Sequence, residues 1–135
     1  MYEYNCKIVR VVDGDTVDVD IDLGFDTWKC GERIRLYGVD TPECRTRDAE
    51  EKAAGILAKE FVEDALHVGG TYTLTTREKG KFGRYLGVIM LSDRTSINAA
   101  LVSENLAVPY MGQSKQDIDD AHAVNYEILK ERGLV

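Results

Sequence analysis

In the stretch Val17-Asp18-Val19-Asp20-Ile21-Asp22 every second residue is apolar and every other one is an aspartate. A period of two puts three β-branched side chains on one face and three carboxylates on the other, which predicts a strand with one face buried. Upstream, Asn5 to Val12 is rich in β-formers, and Asp13-Gly14 is a turn signal between the two strands. Downstream, Glu32 to Val39 reads as a third strand with apolar groups on both faces.

A helix follows. Ala54, Leu57, Ala58, Phe61 and Ala65 recur at helical spacing, and Gly69-Gly70 ends the pattern. Thr71 to Thr76 and Tyr85 to Leu91 read as two further strands joined by a Gly/Lys loop. Thr95 or Ser96 is set to cap a second helix over Ile97 to Asn105. Ser114 with Asp117 opens a third, whose one face carries Ile118, Ala121, His122, Asn125, Ile128 and Leu129 up to Gly133. Five short strands interrupted by one helix predict an α+β, mainly β fold. The expected form is a five-stranded closed barrel of the oligonucleotide-binding (OB) type with three helices packed outside, one domain over residues 1–135.

Composition bounds the function. Apolar residues at 44% and charged residues at 30% suit a globular domain. No apolar run nears the ~20 residues that span a bilayer. The N-terminus shows no basic segment leading into an apolar one, so an intracellular, cytoplasmic setting is expected, with a phage origin left open. Three scattered cysteines and two histidines exclude a zinc finger. The net charge of −7 excludes a uniformly basic nucleic-acid binder but leaves room for a small basic site.

Three segments carry candidate chemistry. In Asp13-Gly14-Asp15-Thr16, the parity of the following strand points Asp15 toward the core, where a bare carboxylate is costly and an Arg or a metal ion would offset the cost. The plain alternative is a turn held by a hydrogen-bonded Asp. In Arg35 through Val39-Asp40-Thr41-Pro42-Glu43, Pro42 ends the strand and leaves two carboxylates and an Arg at its terminus. Such a set can hold a hard cation and a phosphate together, and oxygen-only ligands favour Ca2+ or Mg2+ over zinc. It can equally be an ion pair capping a strand. Residues 77–84 carry Arg77, Lys79, Lys81 and Arg84 against Glu78, a phosphate-contacting loop or a solvated hairpin tip. Asp18, Asp20 and Asp22 mimic the start of a calcium loop, but Leu23 and Lys29 stand where that loop needs Gly and Glu.

Taken together, Asp13-Gly14-Asp15-Thr16, Arg35 with Val39-Asp40-Thr41-Pro42-Glu43, and Lys81-Phe82-Gly83-Arg84 resemble the staphylococcal-type (thermonuclease) nucleases over essentially the whole chain. Asn98-Ala99-Ala100-Leu101-Val102 and Leu106-Ala107 are similar to the family's second helix and its exit. The resemblance implies a Ca2+-dependent nuclease, with Mg2+ and Mn2+ less favoured. It would act on DNA or RNA, preferably single-stranded, and leave 3′-phosphate ends. It implies Asp15, Asp40 and the Thr41 main-chain carbonyl as metal ligands, with Asp13 acting through water. Glu43 would be the base, and Arg35 and Arg84 would grip the phosphate. Lys79, Lys81, Phe82 and Tyr110 are expected to contact substrate. Phe82 stands where the best-known members have Tyr, so a hydroxyl is missing there. A monomer with no obligate protein partner is expected. The rival reading is an inactive nucleic-acid- or peptide-binding module, against which all five of Asp15, Arg35, Asp40, Glu43 and Arg84 are present. Cys44 is expected to be an inert, partly buried thiol, His122 a packed histidine, and Trp28 a loop residue without a role.

Overall fold

The computed structural model describes residues 2–79, 84–92 and 94–135, apart from the side chains of Glu78 and Lys79. Strands β1 (Tyr2–Asp13), β2 (Thr16–Asp22), β3 (Trp28–Leu36), β5 (Thr71–Lys79) and β6 (Tyr85–Met90) close a barrel in the order β1-β2-β3-β6-β5. Its pairings are antiparallel except β3 with β6, which is parallel. A two-residue strand β4 (Val39–Asp40) pairs outside the barrel with β7 (Val108–Pro109). Closure leaves no open edge to aggregate.

The alternation in β2 works as predicted. Val17, Val19 and Ile21 are buried, while Asp18, Asp20 and Asp22 are partly exposed. They meet Ile8, Ile34, Leu36, Leu74 and Ile89 in one core, each buried aliphatic side chain contributing about 1.5–3 kcal/mol. Helix α1 (Ala49–Ala65) covers this core with Ala54, Ala58 and Val62. Helix α2 (Ile97–Ser103) adds Ile97 and Leu101, and α3 (Lys115–Glu131) adds Leu129.

The caps follow the sequence. The Ser96 hydroxyl accepts from the Ala99 N–H and that of Ser114 from the Asp117 N–H. Gly133 closes α3 at φ 74. For α1 the periodicity marked the buried face but not the start, which lies at Asp48, whose carboxylate accepts from the Glu50 and Glu51 N–H groups.

The expected third strand over Glu32 to Val39 is corrected. It begins earlier, at Trp28, which is therefore a strand residue rather than a loop residue, and it ends at Leu36. Gly38 at φ 77 turns the chain before β4. Leu36 and Val39 are both buried although they stand three positions apart, an odd spacing that a single strand cannot bury on one face. The apolar groups on both faces were the trace of that turn.

Candidate active site

Strand ends and the turns beyond them supply the site. Asp13 ends β1, Asp15 lies in the turn before β2, Arg35 is near the end of β3 and Asp40 ends β4. Asp15 is thus a turn residue rather than an inward strand residue. Its placement is nonetheless fixed, because its carbonyl accepts from the Leu36 N–H at 2.8 Å.

The offsetting partner of Asp15 is an arginine. Arg35 Nη1 lies 2.8 Å from Asp15 Oδ2, and Nη2 lies 3.4 Å from Asp40 Oδ1. Nη1 also donates to the Val39 carbonyl at 3.3 Å. Asp15 accepts further bonds from the Thr16 hydroxyl at 3.0 Å and the Thr41 N–H at 3.3 Å. With side chains only 20% and 15% exposed, Arg35 and Asp15 form a partly desolvated pair, stronger than a surface ion pair.

Asp40 is gripped from its other side. His122 Nε2 lies 2.8 Å from Asp40 Oδ2. With Asp40 ionised the carboxylate only accepts, so Nε2 carries the proton. His122 Nδ1 is buried with no hydrogen-bond partner among the described residues, and the ring stacks on Tyr126 at 6.1 Å. The histidine is packed, as its helical position implies, but its packing partner is the site itself. Sequence reasoning missed this contact because α3 shows His122 as one more residue of a core stripe.

Thr41 is buried and Glu43 is exposed. Partial burial pushes the Glu43 carboxyl upward first, followed by the negative charges of Asp15, Asp13, Asp40 and Glu51. Cys44 donates its thiol hydrogen to Asp13 Oδ1 at 2.8 Å. Burial first, then Asp13, raises the Cys44 thiol, so it is held protonated as an Asp13 anchor rather than as a nucleophile. The Glu43–Cys44 backbone rests on α1 at Gly55, where an added Cβ would lie 2.5 Å from the Glu43 carbonyl oxygen and 2.7 Å from the Cys44 nitrogen.

Arg84, half-buried, immediately precedes β6. Tyr85 pairs with Ile34 and Leu86 with Arg35, so the backbone brings Arg84 beside the strand end that carries Arg35. Lys79 ends β5, whereas Lys81 and Phe82 lie outside the described residues. Tyr110 follows β7 and lines a cleft of about 450 Å3 with Arg35, Tyr37 and Leu86. A second cleft of about 470 Å3 is lined by Asp40, Glu43, Asp48, Glu51 and Asp119, with Lys115, His122 and Tyr126.

The donor set around Arg35 is chemically that of a hard-cation site, all carboxylate and carbonyl oxygen. Among the described residues no three Asp, Glu, His or Cys side chains stand together at metal-binding separation, since Arg35 bridges Asp15 and Asp40. Asp15, Asp13 and Asp40 add their negative charge to burial in pushing the Glu43 carboxyl upward.

A closed five-stranded barrel flanked by three helices, with an acid-and-arginine cluster at its strand ends, defines an α+β fold of the OB type. Comparison with known proteins agrees. The family described as staphylococcal nuclease homologue matches residues 33–131. A thermonuclease of Staphylococcus intermedius is 38% identical over 101 residues, 74% of this chain and 56% of that protein. A micrococcal nuclease of Shigella flexneri is 29% identical over 133 residues, 93% of this chain and 68% of that protein. An uncharacterized endonuclease of Escherichia coli O157:H7 is 31% identical over 104 residues, 77% of this chain and 60% of that protein. The chain belongs to the staphylococcal nuclease family. It spans little more than half the length of the Staphylococcus intermedius relative.

Proposed function

We propose that the chain is a divalent-cation-dependent phosphodiesterase that cuts unpaired DNA or RNA, uses Ca2+ and leaves 3′-phosphate ends. The observation that carries this reading is the position of Arg35. On one side its guanidinium spans Asp15 and Asp40; on the other it lines the cleft that holds Tyr110. A phosphate at Arg35 would lie between carboxylates suited to a cation and an aromatic face suited to a base. The names of the relatives, thermonuclease and endonuclease, point the same way.

Asp15, Asp40 and the Thr41 carbonyl would hold the cation, with Asp13 acting through water. Ca2+ tolerates such an irregular oxygen set better than Mg2+ does. When bound, the ion supplies positive charge to the phosphoryl oxygens. Glu43 takes a proton from water, and its upward-pushed carboxyl suits a base working nearer neutrality. The hydroxide adds to phosphorus and the bond to O5′ breaks; the departing O5′ takes a proton from solvent to become a 5′-hydroxyl, and the phosphate stays on the 3′ side. Arg35 and Arg84 donate hydrogen bonds that strengthen as the phosphoryl oxygens gain charge. Tyr110 stacks a base, worth ~1–3 kcal/mol. Lys79, Lys81 and Phe82 contact the strand.

The test is digestion of heat-denatured DNA with Ca2+, with and without a chelator, followed by end-group analysis. Digestion that the chelator stops, with 3′-phosphate ends, is the expected result. Glu43→Gln should keep the fold and lose most turnover. Arg35→Ala should cost on the order of 2.7–4 kcal/mol in transition-state stabilisation. DNA left intact with Ca2+, Mg2+ and Mn2+ at low salt would turn the assignment to a binding module in which the Arg35 ion pairs are purely structural.

A further inference from the structure

A third cleft, of about 290 Å3, opens on the barrel wall between Tyr4, Leu23, Lys29, Arg77 and Tyr85. Its walls are aromatic and aliphatic, and its charged groups are cations. Lys29 Nζ stands 5.5 Å from the Tyr85 ring centroid, with Glu32 at 3.8 Å as its acidic neighbour. Arg77 Cζ stands 5.2 Å from the Tyr37 ring centroid. On a chain of net charge −7, this pairing of rings with cations is a local reversal of sign.

The cleft is a neighbour of the Tyr110 cleft, with no lining residue in common: two pairs of residues stand between them. Tyr85 lines the third cleft, and its neighbour Leu86 lines the Tyr110 cleft. Arg77 lines the third cleft, and the ring under its guanidinium, Tyr37, lines the Tyr110 cleft. Rings beside cations along a groove are what an unpaired strand needs: a face for each base and a charge for each phosphate.

We propose that the cleft at Tyr4, Lys29, Arg77 and Tyr85 is a second nucleotide subsite, which takes the residue flanking the one at Arg35. A single strand then runs from the Tyr110 cleft, across the Tyr37–Arg77 pair, onto Tyr85 and Lys29. The assignment deepens the nuclease reading and rests on it.

The experiment measures binding of labelled thymidylates by fluorescence anisotropy with a chelator present, and kcat/KM with Ca2+. The probes are thymidine 5′-phosphate, which fills one subsite only, and a strand of about eight nucleotides, within the ~4–16 that one such barrel accommodates, on which alone turnover is read. The longer probe should bind wild type more tightly. Lys29→Ala and Tyr85→Leu should each weaken it roughly five-fold or more, the lower range for one lost stack. Lys29→Ala should leave the affinity for the mononucleotide, which fills the Arg35 subsite alone, unchanged. It should also lower the slope of log affinity against log salt by about 0.7, the value for one phosphate contact on a single strand. Lys29 is a surface side chain, so its variant keeps the test valid if Tyr85→Leu is unstable. Equal affinity of wild type and Lys29→Ala for the longer probe, with equal salt slopes, overturns the subsite even if cleavage is robust. Length-dependent binding lost in Lys29→Ala, without cleavage by wild type, keeps the subsite and removes the nuclease reading.

Discussion

His122 shows what one side chain can do at a distance in sequence. Its Nε2 holds Asp40 Oδ2 opposite Arg35, while its Nδ1 has no partner among the described residues. The contact with Asp40 explains why a histidine serves there: it fixes the orientation of a proposed cation ligand. His122→Leu should therefore lower kcat/KM on denatured DNA on the order of tenfold or more, as loss of an outer hydrogen bond to a ligand does. His122→Gln, which restores an N–H, should recover part of the loss. Wild-type turnover in the Leu variant, measured by steady-state kinetics, would remove His122 from the site.

At the scale of elements, the Glu43–Cys44 segment is held by what packs behind it. Gly55 lets α1 approach the Glu43–Cys44 backbone, and Gly14 lets the β1–β2 turn approach Ala58 and Thr41. Gly to Ala inside a helix normally stabilises by about 1 kcal/mol. At Gly55 the added carbon meets the Glu43–Cys44 peptide itself, which cannot rotate away as a side chain could, so Gly55→Ala should lower the melting temperature and displace Glu43 with loss of turnover. A raised melting temperature with full activity would show that the loop yields to α1. Asn98 performs a similar service from α2. Its Nδ2 donates to the Tyr37 and Gly87 carbonyls at 2.9 and 3.2 Å, tying the turn before β4 to β6.

The whole molecule carries its acidic charge outside and an aliphatic barrel inside, and burial reaches two of its weakly acidic groups. Burial raises the Cys6 thiol from 9.0 to about 11 and the Tyr126 hydroxyl from 10.0 to about 12. In both cases the unfolded chain gives up its proton first. Stability is therefore retained below pH ~9 and falls as pH rises toward the folded values. The Cys6 share is on the order of 2 kcal/mol across that window. Urea unfolding across this alkaline range should show the decline, and Cys6→Ala should flatten its lower part. A slope unchanged in Cys6→Ala would assign the loss to other groups.

The sequence by itself determined the alternating strands, the helix faces and the caps at Ser96 and Ser114, because these depend on neighbours two to four residues apart. It also determined the acid and arginine residues of the site, since their types are read directly. Only the tertiary structure decided how those groups meet. Thr41 reaches Asp15 across 26 positions and His122 reaches Asp40 across 82. Barrel closure sets such contacts, and no periodicity in the chain encodes them. The same reason hid the break between β3 and β4, where burial on two sides, rather than any local pattern, turns the chain at Gly38.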